Sequence, residues 1–339
     1  PRWGRVSEGA GEDPYLGSAV GAAMVKGYQG QQQFQLNQPN NILACVKHFG
    51  LYGAAEAGRD YNTVDMSTYK MYNDYFPPYK ACIDAGVGSA MASFNDINGT
   101  PATCNRWLLT DVLRKEWGFN GMVSTDYTGI AELINHGMGD EVTVAARSLY
   151  AGSDMDMVSE LFLNKLPELV KSGQVSKSTV DLACRRILET KNKLGLFENA
   201  MPPSIAAFPE FASEKHKAAP LHTAEESITL LENKNNILPL KKDAKIFVTG
   251  PAANSMTLLN GAWTRSWQGT DAQFDDATKN TIYEALLSKN KNVTFSEVCG
   301  LETMNKMNGN PLEMAMNADV IVVCVGELPS TELPGNIYD

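Results

Sequence analysis

The strongest constraint in this sequence is a repeated pattern: a short apolar run, polar or aromatic residues where it stops, then an amphipathic stretch. Asn41–Val46 (NILACV), Val87–Ser93 (VGSAMAS), Gly121–Thr125 (GMVST) and Ala151–Met157 (AGSDMDM) read as buried strands. Tyr69–Ala85, Arg106–Trp117, Val142–Ala151 and Thr179–Leu196 carry helical periodicity. Short apolar strands alternating with helices predict a parallel sheet covered by helices. The strand-like runs end at Lys47 and His48, at Phe94 and Asn95, at Asp126 and Tyr127, and at Asp154 and Asp156. Polar groups at the C-terminal ends of strands are where a (β/α)8 barrel keeps its chemistry. An open doubly wound sheet also collects them, but no glycine-rich phosphate loop follows any of these runs. The expected class is α/β, a partial (β/α)8 TIM-like barrel with about half its strands visible.

The pattern breaks between Glu198 and Pro220, where Pro202, Pro203, Pro209 and Pro220 are spaced by small residues, as in an interdomain linker. A helix is predicted from about Thr223 to Asn233, with Glu225 and Glu226 favourably placed in its first turn. Ala244–Thr249 and Ala318–Val325 read as buried parallel strands, with a helix over Thr281–Ser288 between them. The boundaries are therefore 1–199 for the barrel part, 200–220 for the linker and 221–339 for a second α/β domain. The chain starts at Pro1 without a methionine and stops at Asp339 just after a strand-like run, so it reads as the middle part of a longer protein.

With 339 residues, 43% hydrophobic and 20% charged, the chain can fill two cores. Its formal net charge of -10 disfavours a nucleic-acid partner. No apolar stretch is long enough to cross a bilayer, so no membrane partner is expected. The six cysteines are scattered without a CxxC pair, which gives a metal cage no support. Cys45 and Cys324 lie inside apolar runs and are expected to be buried thiols. Asn98-Gly99-Thr100 and Asn292-Val293-Thr294 match the glycosylation pattern, a match that also arises by chance.

Several residues carry candidate chemistry. Asp126 follows a buried run and is desolvated on one side, so it needs either donors or a task. As an Asp at a strand–helix junction it is equally a helix cap or an ion-pair partner, and position alone leaves both readings open. Lys47 and His48 offer a cation and a neutral donor at a strand end, or merely a surface Lys and a satisfied buried His. Lys47 also admits a Schiff-base lyase or aldolase reading, which demands burial away from carboxylates. Arg5 can fork onto vicinal hydroxyls, and Trp3 reads as core. The loop Gly261–Gly269 (GAWTRSWQG) contains two tryptophans. One, Trp263, is expected to pack under the loop, while Trp267 is expected to form an exposed platform for a sugar ring. Glu327 and Glu332 lie on the loop that follows the strongest strand of the second domain, where solvated charge is the plainer reading.

Taken together, these segments resemble glycoside hydrolase family 3. The matching segments are PRWGR at 1–5, GEDPYL at 11–16, VKHF at 46–49, FNDINGTPAT at 94–103, WGFNGMVSTD at 117–126, LETKNKLGLFE at 188–198 and ESITLLENKNNILPL at 226–240. They occur in order along nearly the whole chain. The first half is most similar to bacterial periplasmic β-glucosidases, and the GAWTRSWQG and GELPSTE loops to exo-acting β-glucan glucohydrolases. The resemblance implies a barrel followed by an α/β sandwich with the pocket between them, in a periplasmic or secreted retaining β-glucosidase. It implies Asp126 as nucleophile and Glu332 as acid/base, with Glu327 as the competitor. Arg5, Lys47 and His48 would hold the terminal sugar, Met91 and Phe94 would line its pocket, and Trp267 would clamp the next sugar. No metal or organic cofactor is implied. The substrate would be a β-linked gluco-oligosaccharide or an aryl β-glucoside, the alternatives being a β-xylosidase, another exo-β-glycosidase of the family, or an inactive sugar-binding piece. Two features depart from the family pattern. Tyr127 stands where many members have Trp, which weakens the clamp beyond the scissile bond. KHF is followed by Gly50 rather than by the PGH of the family's N-acetylglucosaminidases, which argues against a histidine acid/base.

Overall fold

A computed structural model describes residues 3–31, 36–201, 204–301 and 309–336. Pro1 and Arg2 of the first motif, and Pro202 and Pro203 of the expected linker, lie outside the described residues. The chain divides into two compact units, Pro1–Pro203 together with Gly335–Asp339, and Ser204–Pro334.

The first unit is built on a three-stranded parallel sheet of adjacent, sequential strands: β1 (Cys45–Phe49), β2 (Ser89–Ala92) and β5 (Met122–Ser124). Register is set by Cys45 opposite Ser89, Val46 opposite Ala90, and Ala90 opposite Val123. The β1–β2 ladder shifts between Val46 and Phe49, the stretch that contains Lys47 and His48. Gly121 opens β5 where no side chain fits, because a Cβ there would lie 2.3 Å from the Gly88 carbonyl oxygen. A hairpin of β3 (Asp96–Ile97) and β4 (Thr100–Pro101) turns at Asn98-Gly99, both with positive φ.

Helices cover this sheet. Phe76–Asp84 follows a π-helical turn over Met71–Tyr75, and Trp107–Glu116 is itself π-helical. Their inward residues, Met71, Phe76, Leu108, Leu109, Val112 and Leu113, pack on Phe49, Ala90 and Val123 in one core. A second core joins the helices Gly129–Asn135, Glu141–Ala151, Leu161–Lys171 and Lys177–Lys193 through Ile130, Leu133, Leu149, Leu161 and Leu169. Asp140 and Ser176 cap two of these helices by accepting from the N–H groups of Thr143 and Thr179.

Two expectations for this unit, and one for the segment that follows it, need correction. Ala151–Met157 is not a strand. Ala151 ends a helix, Asp154 turns in to meet arginines, and only Met155 bridges to Ser124. Cys45 is exposed rather than buried, because β1 is an edge strand whose outward side has no cover among the described residues. The predicted linker contains the start of a helix, Glu214–Ser227, which ends where the predicted helix was to be well under way. Ser213 is its N-cap, and Pro220, which reads as a helix breaker, sits inside it.

The second unit contains a parallel sheet of order β7-β6-β8, with β6 (Ile246–Thr249) central, β7 (Val293–Phe295) and β8 (Val320–Val323). β7 was not anticipated, since its three residues are too short to give a pattern. β6 is buried throughout, as predicted. β8 is not: Ile321 and Val323 face outward from this edge strand. The helix Ile282–Lys289 starts at a capping box of Thr281 and Glu284 and lies near its predicted place. Cys324 is buried as expected.

Candidate active site

In the first unit, the ends of β1 and β5 and the N-terminal segment bring their polar groups together. Arg5 is buried, at 5% exposure, and Glu8 grips it in a fork, with Nε at 2.7 Å from Oε1 and Nη2 at 2.8 Å from Oε2. Its Nη2 also lies 3.2 Å from His48 Nε2, and its Nη1 donates to the Tyr52 hydroxyl at 3.5 Å. Burial opposes the Arg5 charge, but Glu8 and Tyr52 outweigh this and hold its pKa above the ordinary value.

These contacts fix the state of His48. Arginine only donates, so Nε2 is the acceptor and the ring proton sits on Nδ1. Burial, reinforced by the positive charges of Arg5 and Lys47, pushes the His48 pKa down to about 2. The ring is therefore neutral at working pH. Its 3.4 Å approach to Asp126 Oδ2 is a contact, not an ion pair. The backbone holds the residue in place: the Tyr79 hydroxyl donates to the His48 carbonyl at 2.7 Å, and the Tyr52 ring meets the imidazole edge-on at 4.9 Å.

Asp126 closes β5. Its Oδ1 accepts from the Tyr127 N–H at 2.7 Å, while its Oδ2 is buried without a hydrogen-bond partner. A neutral His48 with its lone pair turned toward Oδ2 explains why that oxygen has no donor. Burial raises the Asp126 pKa, against the pull of the Tyr127 N–H, Arg5 and Lys47. The result is a desolvated carboxylate with one uncommitted oxygen, kept beside two cations that make no direct bond to it. Because Lys47 is exposed and acts electrostatically on Asp126, the Schiff-base reading loses its main requirement.

Of the other residues named from sequence, Met91 is half-buried on β2, and Tyr127 is 61% exposed beside Asp126. Phe94 is buried, stacked on Tyr61 at 4.1 Å in a small cluster with Trp3 and Tyr52. Asp154 and Asp156 do structural work: Asp154 binds Arg114 and Arg186, and Asp156 Oδ2 accepts from the N–H groups of Leu161 and Phe162 at a helix start. In the second unit, Trp267 is exposed and so is Trp263, which was expected to be packed. Their loop bonds to itself through polar groups and leaves neither ring a core. Glu327 is exposed and Glu332 half-buried, at a positive φ of 58°. Glu8, Tyr52 and Tyr79 were missed. Glu8 lies one helical turn from Arg5 and was readable as its partner, whereas nothing in the sequence marks the two tyrosines. Among the described residues no cluster suited to a metal ion occurs, and no helix is long and apolar enough to cross a membrane.

The first unit thus presents a strand-end aspartate with one carboxylate oxygen left without a donor, and a second α/β unit follows it in sequence. Residues 1–190 match the glycosyl hydrolase family 3 N terminal domain and residues 228–336 the glycosyl hydrolase family 3 C-terminal domain. The chain belongs to glycosyl hydrolase family 3. It is 39% identical to a periplasmic β-glucosidase of Salmonella typhimurium, over 96% of this chain and 45% of that protein. A β-xylosidase of Formosa agariphila is 33% identical over 97% of this chain and 47% of its own length. Among solved structures, the β-glucosidase of Listeria innocua in complex with glucose superposes with a TM-score of 0.84 at 37% identity, covering 98% of this chain and 46% of that one. A mutant of that β-glucosidase has been solved with laminaribiose. The chain thus spans a little under half the length of these relatives.

Proposed function

We propose that this chain supplies the two catalytic carboxyls of a retaining, exo-acting β-glucosidase, with Asp126 as nucleophile and Glu332 as acid/base. The observation that carries the reading is the buried, unpartnered Oδ2 of Asp126 beside Arg5, His48 and Lys47. A nucleophile needs an ionised oxygen that no neighbour has already engaged, and cations nearby keep a desolvated carboxylate ionised. The relatives supply the substrate class, glucose and laminaribiose being bound by the Listeria enzyme and its mutant.

On this reading the β1-β2-β5 sheet is an arc of a (β/α)8 barrel, the second unit is part of an α/β sandwich, and residues 200–220 separate the two. Arg5, Lys47 and His48 hold the terminal sugar, Met91 and Phe94 shape its pocket, and Trp267 stacks on the next ring. Retention requires two carboxyls about 5–5.5 Å apart across the glycosidic oxygen. Asp126 attacks the anomeric carbon as Glu332 gives its proton to the leaving oxygen. Glu332 then takes a proton from the water that releases the glycosyl-aspartate. The acid must start protonated, which the negative charge of Asp126 would favour. Glu327 is the competing acid, and the name of the Salmonella relative points to a periplasmic or secreted setting.

Treating the full-length protein with a 2-fluoro-β-glucoside and sequencing the labelled peptide tests this. Label on Asp126 is expected, and label on any other carboxylate would falsify the assignment. The Formosa relative favours a second reading, in which the sugar is xylose. Rates with matched aryl β-glucoside and aryl β-xyloside decide between them. A binding protein without catalysis would release neither phenol.

A further inference from the structure

The loop Gly261–Gly269 is closed on itself. The Trp263 N–H donates to the Trp267 carbonyl at 3.0 Å, the Gly261 N–H to Thr264 Oγ1 at 3.2 Å and the Gly269 N–H to Ser266 Oγ at 3.2 Å. Gly269 has φ 73°, and a Cβ there would lie 2.2 Å from the Gly261 carbonyl oxygen, so glycine is required for closure. One side chain of this closed loop reaches far along the sequence. Gln268 Nε2 donates to the Thr331 carbonyl at 3.1 Å, and Gln268 Oε1 accepts from the Thr331 N–H at 3.0 Å.

A single amide thus pairs with both main-chain groups of Thr331, as a neighbouring strand would. Thr331 is fully buried at 0% exposure in a segment without regular structure. Buried main-chain groups in such a segment need partners, and Gln268 provides them. The next residue is Glu332, at a φ of 58°. A non-glycine residue keeps that backbone only where its surroundings impose it.

We infer that Gln268 is a positioning residue for Glu332, locking the backbone just before the acid/base and tying it to the loop that carries Trp267. The inference rests on the reading of Glu332 as acid/base. Gln has both the reach and the donor–acceptor pair for the task. Gln268→Ala leaves two buried main-chain groups unpaired, whereas Gln268→Glu keeps an acceptor for the Thr331 N–H but sets a carboxylate against its carbonyl. A displaced Glu332 impairs proton delivery to the leaving oxygen and spares the attack by Asp126.

The test measures kcat/KM and its pH profile on the full-length protein with aryl β-glucosides whose phenols span a range of leaving ability. The proteins compared are wild type, Gln268→Ala, Gln268→Glu and Glu332→Ala, each with melting checked. Gln268→Ala is expected to lose about 10- to 100-fold on poor leaving groups. On dinitrophenyl glucoside, which departs without a proton, the loss should stay within about threefold. The basic limb of the profile should move, and Gln268→Glu should fall between. Should Gln268→Ala not fold, the same steepened dependence is read from Gln268→Glu. A loss equal across the series, or none, overturns the inference. Glu332→Ala tells the two levels apart. If it shows neither leaving-group dependence nor rescue by azide, the acid/base assignment has failed and the inference with it. If it shows both while the Gln268 variants do not, only the positioning role has failed.

Discussion

Asp126 and Asp154 belong to the same unit, each follows a strand-like run, and each is withdrawn from water. Their surroundings differ sharply. Asp154, 4% exposed, binds Arg114 Nη2 at 2.6 Å, Arg186 Nη1 at 2.8 Å and the Val123 N–H at 2.8 Å. Asp126 has the Tyr127 N–H on one oxygen and no donor on the other, while its cations act from beyond hydrogen-bond reach. Saturation makes a buried carboxylate a structural clasp, whereas an oxygen left without a donor is available for chemistry. What separates the two is the number of donors delivered to the carboxylate: Asp154, deeper and off any strand, receives three, and Asp126, at the end of β5, receives one.

The contrast predicts opposite consequences for parallel substitutions. In the full-length protein, Asp126→Asn should cost roughly a thousandfold or more in kcat, the scale on which removal of a nucleophile is felt. Its melting temperature should hold or rise, because a buried carboxylate oxygen without a donor is relieved of its charge. A rate near wild type would end the catalytic reading of this residue. Asp154→Asn should do the reverse. Breaking a buried pair while its partners stay behind costs about 3–5 kcal/mol, and here two arginines lose their carboxylate. Denaturant melts should show that loss, while kcat per folded molecule stays within a few-fold of wild type.

Much of this was legible in the sequence. Burial on both faces makes β6 read as an unbroken apolar run, and β2 and β5 likewise stand out between amphipathic helices. The 151–157 segment misled because AGSDMDM has the same composition whether its aspartates end a strand or turn in to meet arginines more than thirty residues away in sequence. Local pattern alone does not separate Asp126 from Asp154, since donors such as Arg186 are brought in by folding; only the resemblance of the segment ending at Asp126 sets it apart. Pro220 concealed the helix start at Ser213 because a proline is the strongest local stop signal and only the surrounding chain can overrule it. The paired bonds from Gln268 to Thr331 span two loops and leave no local trace.

His48 sharpens the comparison through pH. Its folded pKa is depressed from 6.5 to about 2, so the folded state resists binding the proton that the unfolded chain takes up. Stability from this residue is fully present above about 6.5 and is lost as pH falls toward the folded value. The expected slope is about 1.4 kcal/mol per pH unit across that window. Asp126 contributes with the opposite sign. Its folded pKa is raised, so its contribution favours the fold at low pH and fades as pH rises through that value. His48→Asn should flatten the loss below pH 6.5 in urea melts taken at several pH values. An unchanged slope would mean that His48 is protonated in the fold and paired with Asp126 after all.

The smallest effect tests how Asp126 keeps an oxygen free. Glu8 holds Arg5 by two charge-assisted bonds, and that fork fixes Nη2 where it occupies His48 Nε2. Glu8→Gln removes the charge and one of the two acceptors, so Arg5 is released from its fixed angle. Two consequences follow if Arg5 sets the His48 tautomer. The guanidinium is freed to swing onto Asp126 Oδ2, and His48 Nε2, no longer occupied, can carry the proton and donate to the same oxygen. Either move engages the oxygen that the proposed attack needs, so kcat/KM should fall about tenfold while stability changes by less than about 1 kcal/mol. Glu8→Asp, which keeps the charge on a shorter arm, should recover part of the rate. A Glu8→Gln protein with full activity would show that Asp126 is kept free by burial alone, and the contrast with Asp154 would then owe nothing to the arrangement of Arg5 and His48.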